Sequence, residues 1–196
     1  MEFHRLSVKF FVADPASVKL EEIVPVFHRW IQEQVLERAG VLGTLVDVAD
    51  YKHVVDGPGV LLIGHEADTS IDLGGGRPGL LRTEKRGGGS LADRLAALFR
   101  GALKACRALE AEPALGGRIR FRGDEAVVAV LDRLRAPNES ATLEALRGEL
   151  EAVARRLHGA APVSLEPAGG DARGPFAVRL RAPGVSGIQE LVARLG

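Results

Sequence analysis

The chain has 196 residues, of which 46% are hydrophobic, enough for one domain with a sizeable interior. Lys plus Arg and Asp plus Glu number 26 each, so no net field is present to hold a nucleic acid or an anionic membrane. The single cysteine, Cys106, excludes an internal disulfide, and seven Phe, one Tyr and one Trp make no aromatic ladder for stacking bases.

The opening MEFHRLSVKFFVAD carries Glu2, Arg5 and Lys9 and lacks the apolar stretch of a signal peptide, and no run of about 18 apolar residues follows. A cytoplasmic protein without membrane contact is expected. Leu6 to Ala13 is β-branched and aromatic and ends at Asp14-Pro15, which predicts a buried strand. Leu20, Ile23, Val24, Phe27, Ile31 and Val35 then follow helical spacing as far as a stop at Gly40. Pro25 interrupts that run, so the helix either begins near Pro25 or is kinked there.

Leu45 to Tyr51 and Val60 to Glu66 read as an antiparallel hairpin around Asp56-Gly57-Pro58-Gly59, with residues 69 to 73 continuing the second strand. The glycine-rich Gly74 to Gly79 turns into a short strand, Leu80 to Lys85. Ser90 and Asp93 match a capping box for a helix reaching Glu112. Beyond Pro113 the spacing predicts strands at Arg118 to Phe121 and Ala126 to Asp132, and a helix from Pro137-Asn138 to Gly159. Strands at Val163 to Glu166 and Phe176 to Arg181 follow, with a closing helix from Ser186 to Leu195. The expected fold is α+β: a single unit in which two similar strand-helix-strand-strand-helix halves, 1–113 and 114–196, pack helices on an antiparallel or mixed sheet.

Residues 45–73 are the chemically dense stretch, with six carboxylates, His53, His65 and Tyr51 around two apolar runs. Pairing the strands around Asp56-Gly57 sets Asp47 opposite Glu66, Tyr51 opposite Leu62 and His53 opposite Val60. Asp47, Tyr51, His53 and Glu66 then share one face, while Asp50 and His65 fall on the other. Facing carboxylates repel, so Asp47 and Glu66 would call for a cation, a shared proton or a metal. With His53 or His28 nearby, an Asp/Glu/His metal site or a general acid/base is one reading, although no metal or cofactor is specified. A one-residue slip disperses the cluster, and the same residues equally serve as strand ends and loop caps.

Arg82, Lys85 and Arg86 precede Gly87-Gly88-Gly89-Ser90 and a helix start, an arrangement suited to a phosphate or carboxylate or simply to a loop ending in a cap. Neither a Walker A loop nor a G-x-S-x-G elbow is present, no G-x-G-x-x-G turn follows the first strand, and Gly74 to Gly79 reads as a hairpin loop, not a dinucleotide fingerprint. The segments FHRWIQ (27–32), DVADY (47–51), GPGVLLIGHE (57–66) and DRLRAPN (132–138) resemble those of a family of uncharacterised bacterial proteins over most of the chain. The resemblance implies that the four segments belong together and brings no activity, cofactor or site residue.

Two functions are therefore expected in turn. The first is a cytoplasmic, self-associating binding or interaction protein, a homo-oligomer pairing through a strand such as Leu80 to Lys85 or Phe176 to Arg181. A small molecule or anion would be held near His28, Asp50, Tyr51, Arg82 and Lys85. The alternative is a metal-assisted or acid/base hydrolase using Asp47, His53, His65 and Glu66.

Overall fold

Leu6–Val12 (β1) is buried at every position because strands pair on both sides of it and helices cover one face. The computed structural model describes residues 5–85, 87–169, 171, 173–184 and 187–195. After β1 come the helices Leu20–Glu33 (α1) and Val35–Arg38 (α2), then four strands, Leu45–Tyr51 (β2), Gly59–Gly64 (β3), Ala67–Asp72 (β4) and Gly79–Glu84 (β5). Leu91–Glu110 (α3) precedes Phe121–Val130 (β6), Ser140–His158 (α4), Ser164–Pro167 (β7), Phe176–Arg181 (β8) and Ile188–Leu195 (α5). The fold is α+β, with one antiparallel sheet in the order β2-β3-β4-β5-β1-β6-β8-β7.

Directly paired residues share a face, so the register draws lanes across the sheet. One lane runs Val48, Leu62, Thr69, Arg82, Val8, Val128, Val178 and Pro167; the next runs Asp50, Val60, Ile71, Leu80, Phe10, Ala126, Leu180 and Leu165. The interior members of these lanes join the core, with α1 over β2 and β3 and α3 over β1 and β5. Phe99 of α3 meets Phe10 edge to face at 5.9 Å. Cys106 is buried in α3 as a core residue, and burial pushes its thiol up. No described helix is long and apolar enough to cross a membrane.

Several boundaries differ from expectation. Helix α1 starts at Leu20 with Pro25 in its second turn, and it stops at Gln34, whose φ of 53° breaks the run before Gly40. Residues 67–72 form a strand of their own, since the chain reverses at His65-Glu66. The segment 118–132 yields one strand, β6, bent by a bulge opposite Phe10 and Val12. Position 186, the expected start of the last helix, lies outside the described residues.

The strands expected to pair across a dimer axis are interior. β5 lies between β4 and β1, and β8 between β6 and β7, so neither offers a free edge. The edges are β2 and β7, and both are blunted. Asp47 Oδ1 accepts from the Val48 amide at 2.7 Å, Asp50 Oδ1 from the Lys52 amide at 3.0 Å and Glu37 Oε1 from the Leu45 amide at 3.0 Å. β2 also bulges between Leu45 and Asp47, while β7 has four residues and ends in Pro167, which has no amide hydrogen to offer.

Candidate functional site

The hairpin register separates the expected constellation. Asp47 pairs with Ile63 and Tyr51 with Gly59, three residues away from a pairing centred on Asp56-Gly57. The cause lies in the loop, where Val54 bonds back to Tyr51 and Gly57 back to Val54, two successive turns in place of one. Gly59 then enters β3 with a φ of +62°, so close to the Ile71 carbonyl that a β-carbon would lie 2.2 Å from its oxygen. An odd shift exchanges the faces. Asp47 and Tyr51 consequently point away from the helices, whereas the Glu66 side chain lines a cavity on the helix-covered side.

His53 occupies the β2–β3 loop, at the opposite end of the six-residue β3 from His65 and Glu66. That strand alone spans about 17 Å. Asp47, His53, His65 and Glu66 are therefore not assembled into one site, and among the described residues no three His, Cys, Asp or Glu side chains could hold a metal ion. His28 is exposed on α1, and Tyr51 is 40% exposed. The Lys52 amide and ammonium hold the Asp50 carboxyl below its usual range. Lys85 pairs with Asp68 at 2.9 Å. Arg86 lies outside the described residues.

Arg82 and Glu66 do come together, at a place assembled from four parts of the chain. Strand alternation in β5 points Leu80, Arg82 and Glu84 to the helix-covered face. Arg82 thus occupies a core lane between Thr69 and Val8 and is only 6% exposed. Its Nη1 donates to Thr69 Oγ1 at 2.8 Å. A guanidinium has five N–H donors, yet among the described residues no carboxylate lies within ion-pair distance of this one. Burial lowers its pKa to about 10, against the pull of Asp68 and Glu66, so at neutral pH it remains a cation.

Helix α3 roofs the guanidinium. Gly101 stands over it, where a β-carbon would lie 2.6 Å from Nε and 3.1 Å from Cζ. One and two turns earlier, Ala97 and Arg94 line the same cavity. Arg94 forms a buried ion pair with Glu84, its Nε reaching the second carboxylate oxygen at 3.4 Å. Gly87 leaves room for that guanidinium, since a β-carbon there would be 2.3 Å from Cζ. Ser90 caps α3 by accepting from the Asp93 amide at 3.1 Å, as the capping-box pattern predicts.

The loop between α2 and β2 closes the remaining side with Gly40, Val41 and Leu42. The Glu66 carboxylate lies against Gly43, whose φ of +110° and lack of a β-carbon leave it space. The cavity is open to solvent on one side and has a volume of about 340 Å³, within the range of small-molecule sites. Leu42 is 84% exposed, an apolar side chain held at the mouth instead of in the core. Among the described residues, those lining it all fall between Gly40 and Gly101.

Among the described residues, the other buried carboxylates, lysines and arginines have ionic partners. Glu125, 3% exposed, receives two hydrogen bonds from Arg77 at 2.8 and 2.9 Å. Arg179 Nε lies 3.1 Å from the same carboxylate but is poorly aligned for a hydrogen bond, and Arg77 stacks on Phe11 at 3.7 Å. Glu112 accepts from Trp30 Nε1 at 3.2 Å and pairs with Arg29. Lys9 pairs with Asp72. Against that pattern Arg82 stands out: a buried cation with its neighbouring carboxylates beyond contact and a cavity beside it.

The sequence contained two signals for this site. Arg82 breaks the apolar side of a strand that reads Leu-Arg-Glu at alternate positions, and Gly101 sits in the middle of a periodic helix where glycine is costly. Arg94, Glu84, Arg100 and Leu42 carry no local signal, because tertiary packing alone brings them together. No family model, curated protein or solved structure matches the chain.

Proposed function

We propose that this is a binding protein whose ligand presents an anionic group to Arg82 in the cavity beneath α3. The observation that carries the reading is the guanidinium itself: 6% exposed, fixed by Thr69, and among the described residues without a contacting carboxylate, beside about 340 Å³ of open space. Removing a cation from water is costly unless an opposite charge approaches it, so an arriving anion recovers part of what folding spent. Of the four residues in the hydrolase reading, only Glu66 lines the cavity, and no histidine is among the described residues that line it. That supports binding over acid/base chemistry.

Strand-edge self-association is not included in this proposal, because carboxylates occupy amides along β2 and Pro167 ends β7. We retain the two-halves reading as part of it: residues 114–196 follow the order β6-α4-β7-β8-α5, with the binding site built on the first half. The test is thermal unfolding with a panel of organic and inorganic anions, each beside a neutral analogue. A ligand at about 100 times its Kd adds about 2.7 kcal/mol, or roughly 5–10 °C for a domain of this size. Stabilisation of the natural sequence and not of Arg82→Met supports the reading. Failure of every anion to raise the midpoint removes it.

A further inference from the structure

Resting on that reading, we propose that the ligand is a monocarboxylate carrying a short apolar tail. The charges around the cavity decide the first part. Arg82, Arg94 and Arg100 face Glu66, Glu84 and Asp93, so the lining as a whole is balanced. Arg94 is already matched by Glu84, and Arg100 stays a cation but turns its Nε to the Leu195 carbonyl at 2.9 Å. With Glu66 and Asp93 balancing the two other cations, the lining has no positive excess, and the buried Arg82 beside the space can compensate a single negative charge. A phosphate monoester would bring nearly two, leaving the excess beside Glu66 and Glu84 in a partly desolvated space.

Geometry favours a carboxylate among monoanions. The planar fork of arginine matches its two oxygens, and Thr69 on Nη1 fixes the rotation of that fork. The remaining walls are apolar. Val41, Leu42, Ala67, Ala97 and Leu98 face the space, and Leu42 holds its side chain at the mouth where only an apolar guest would remove it from water. An acid with a compact chain fills both parts: its head on Arg82, its tail against α3 and the 40–42 loop.

Calorimetric titration of the full chain at pH 7 with butyrate, hexanoate, hexanamide, inorganic phosphate and hexyl phosphate tests the assignment. Hexanoate is expected to bind more tightly than butyrate by about fourfold for each added methylene. Hexanamide, of the same shape without the charge, is expected to bind at least about tenfold more weakly. Arg82→Met should abolish hexanoate binding. Arg82→Lys, which keeps the charge and loses the fork, should weaken it at least about tenfold, and circular dichroism confirms that each variant is folded. Tighter Arg82-dependent binding of hexyl phosphate or phosphate overturns the monocarboxylate class while leaving an anion site. Hexanamide binding as tightly as hexanoate overturns the role of charge, and no binding by any anion removes both readings.

Discussion

Arg82 lies under α3 only because residue 101 is glycine: a β-carbon there would stand 2.6 Å from the arginine Nε. A mid-helix glycine costs about 1 kcal/mol relative to alanine, and here it makes room for a buried cation. Gly101→Ala gains helix propensity but pushes the guanidinium away from Thr69. Net stability by urea unfolding should change by less than about 2 kcal/mol, since overpacking offsets the gain. Affinity for the carboxylate probe should fall at least about tenfold. Unchanged affinity would show that Arg82 does not need its present place.

The pH dependence of binding follows from the same residue. Burial sets the Arg82 pKa at about 10, so the free protein offers a cation throughout the neutral range. Hexanoate affinity should be flat from about pH 6 to 8, where the acid is ionised and Arg82 charged, and should decline below about pH 5 as the acid takes up a proton. Calorimetry across that range, with folding followed by circular dichroism, is the check.

The β2 carboxylates have a different task from the one their density suggests. Asp47 occupies the Val48 amide within β2, and Asp50 the Lys52 amide just past its end, which withholds these donors from another strand. The double change Asp47→Ala, Asp50→Ala should leave the fold intact and raise association measured by light scattering at high concentration. A variant as monodisperse as the natural sequence would show that capping is not what protects this edge.

Much of the architecture was legible because periodicity reports burial. Leu6–Val12 reads as a buried strand and is one, and the long α3 and α4 follow their leucines. The hairpin register was not legible, because two consecutive turns between Tyr51 and Gly57 are as compatible with the letters as one turn at Asp56-Gly57, and the three-residue difference moves Asp47 to the other face. Arg82 was visible as a candidate for an anion. Its burial and its roof were not, since they depend on α3 crossing β5 at Gly101, a contact between distant parts of the chain.

Glu125 anchors the face of the sheet opposite the helices. The hydrogen bonds from Arg77, with Arg179 and Arg122 nearby, hold its carboxyl below the usual range. With the folded value below the unfolded one, its contribution is complete above the ordinary glutamate pKa of 4.5 and is lost as pH falls below it. Glu125→Gln should cost about 1.5–3 kcal/mol at pH 7 by urea unfolding, and the difference from the natural sequence should shrink below about pH 4.

His158 gives the second pH signature. Burial lowers its pKa from 6.5, and the charge of Arg194 adds to the effect while Glu190 opposes it. As pH falls through about 6.5 the unfolded chain takes up the proton first, so native stability declines from there downward and is full above it. His158→Gln should flatten the stability curve between about pH 5 and 7. An unchanged slope there would assign the decline to other groups.

The decisive experiment is a crystal of the protein soaked with hexanoate. Carboxylate density should lie within about 3 Å of the Arg82 guanidinium, with the ligand's tail running along Ala97 and Leu98 toward Leu42. Hexanoate bound elsewhere, or Arg82 turned to a carboxylate of the protein with the cavity closed, would contradict that placement.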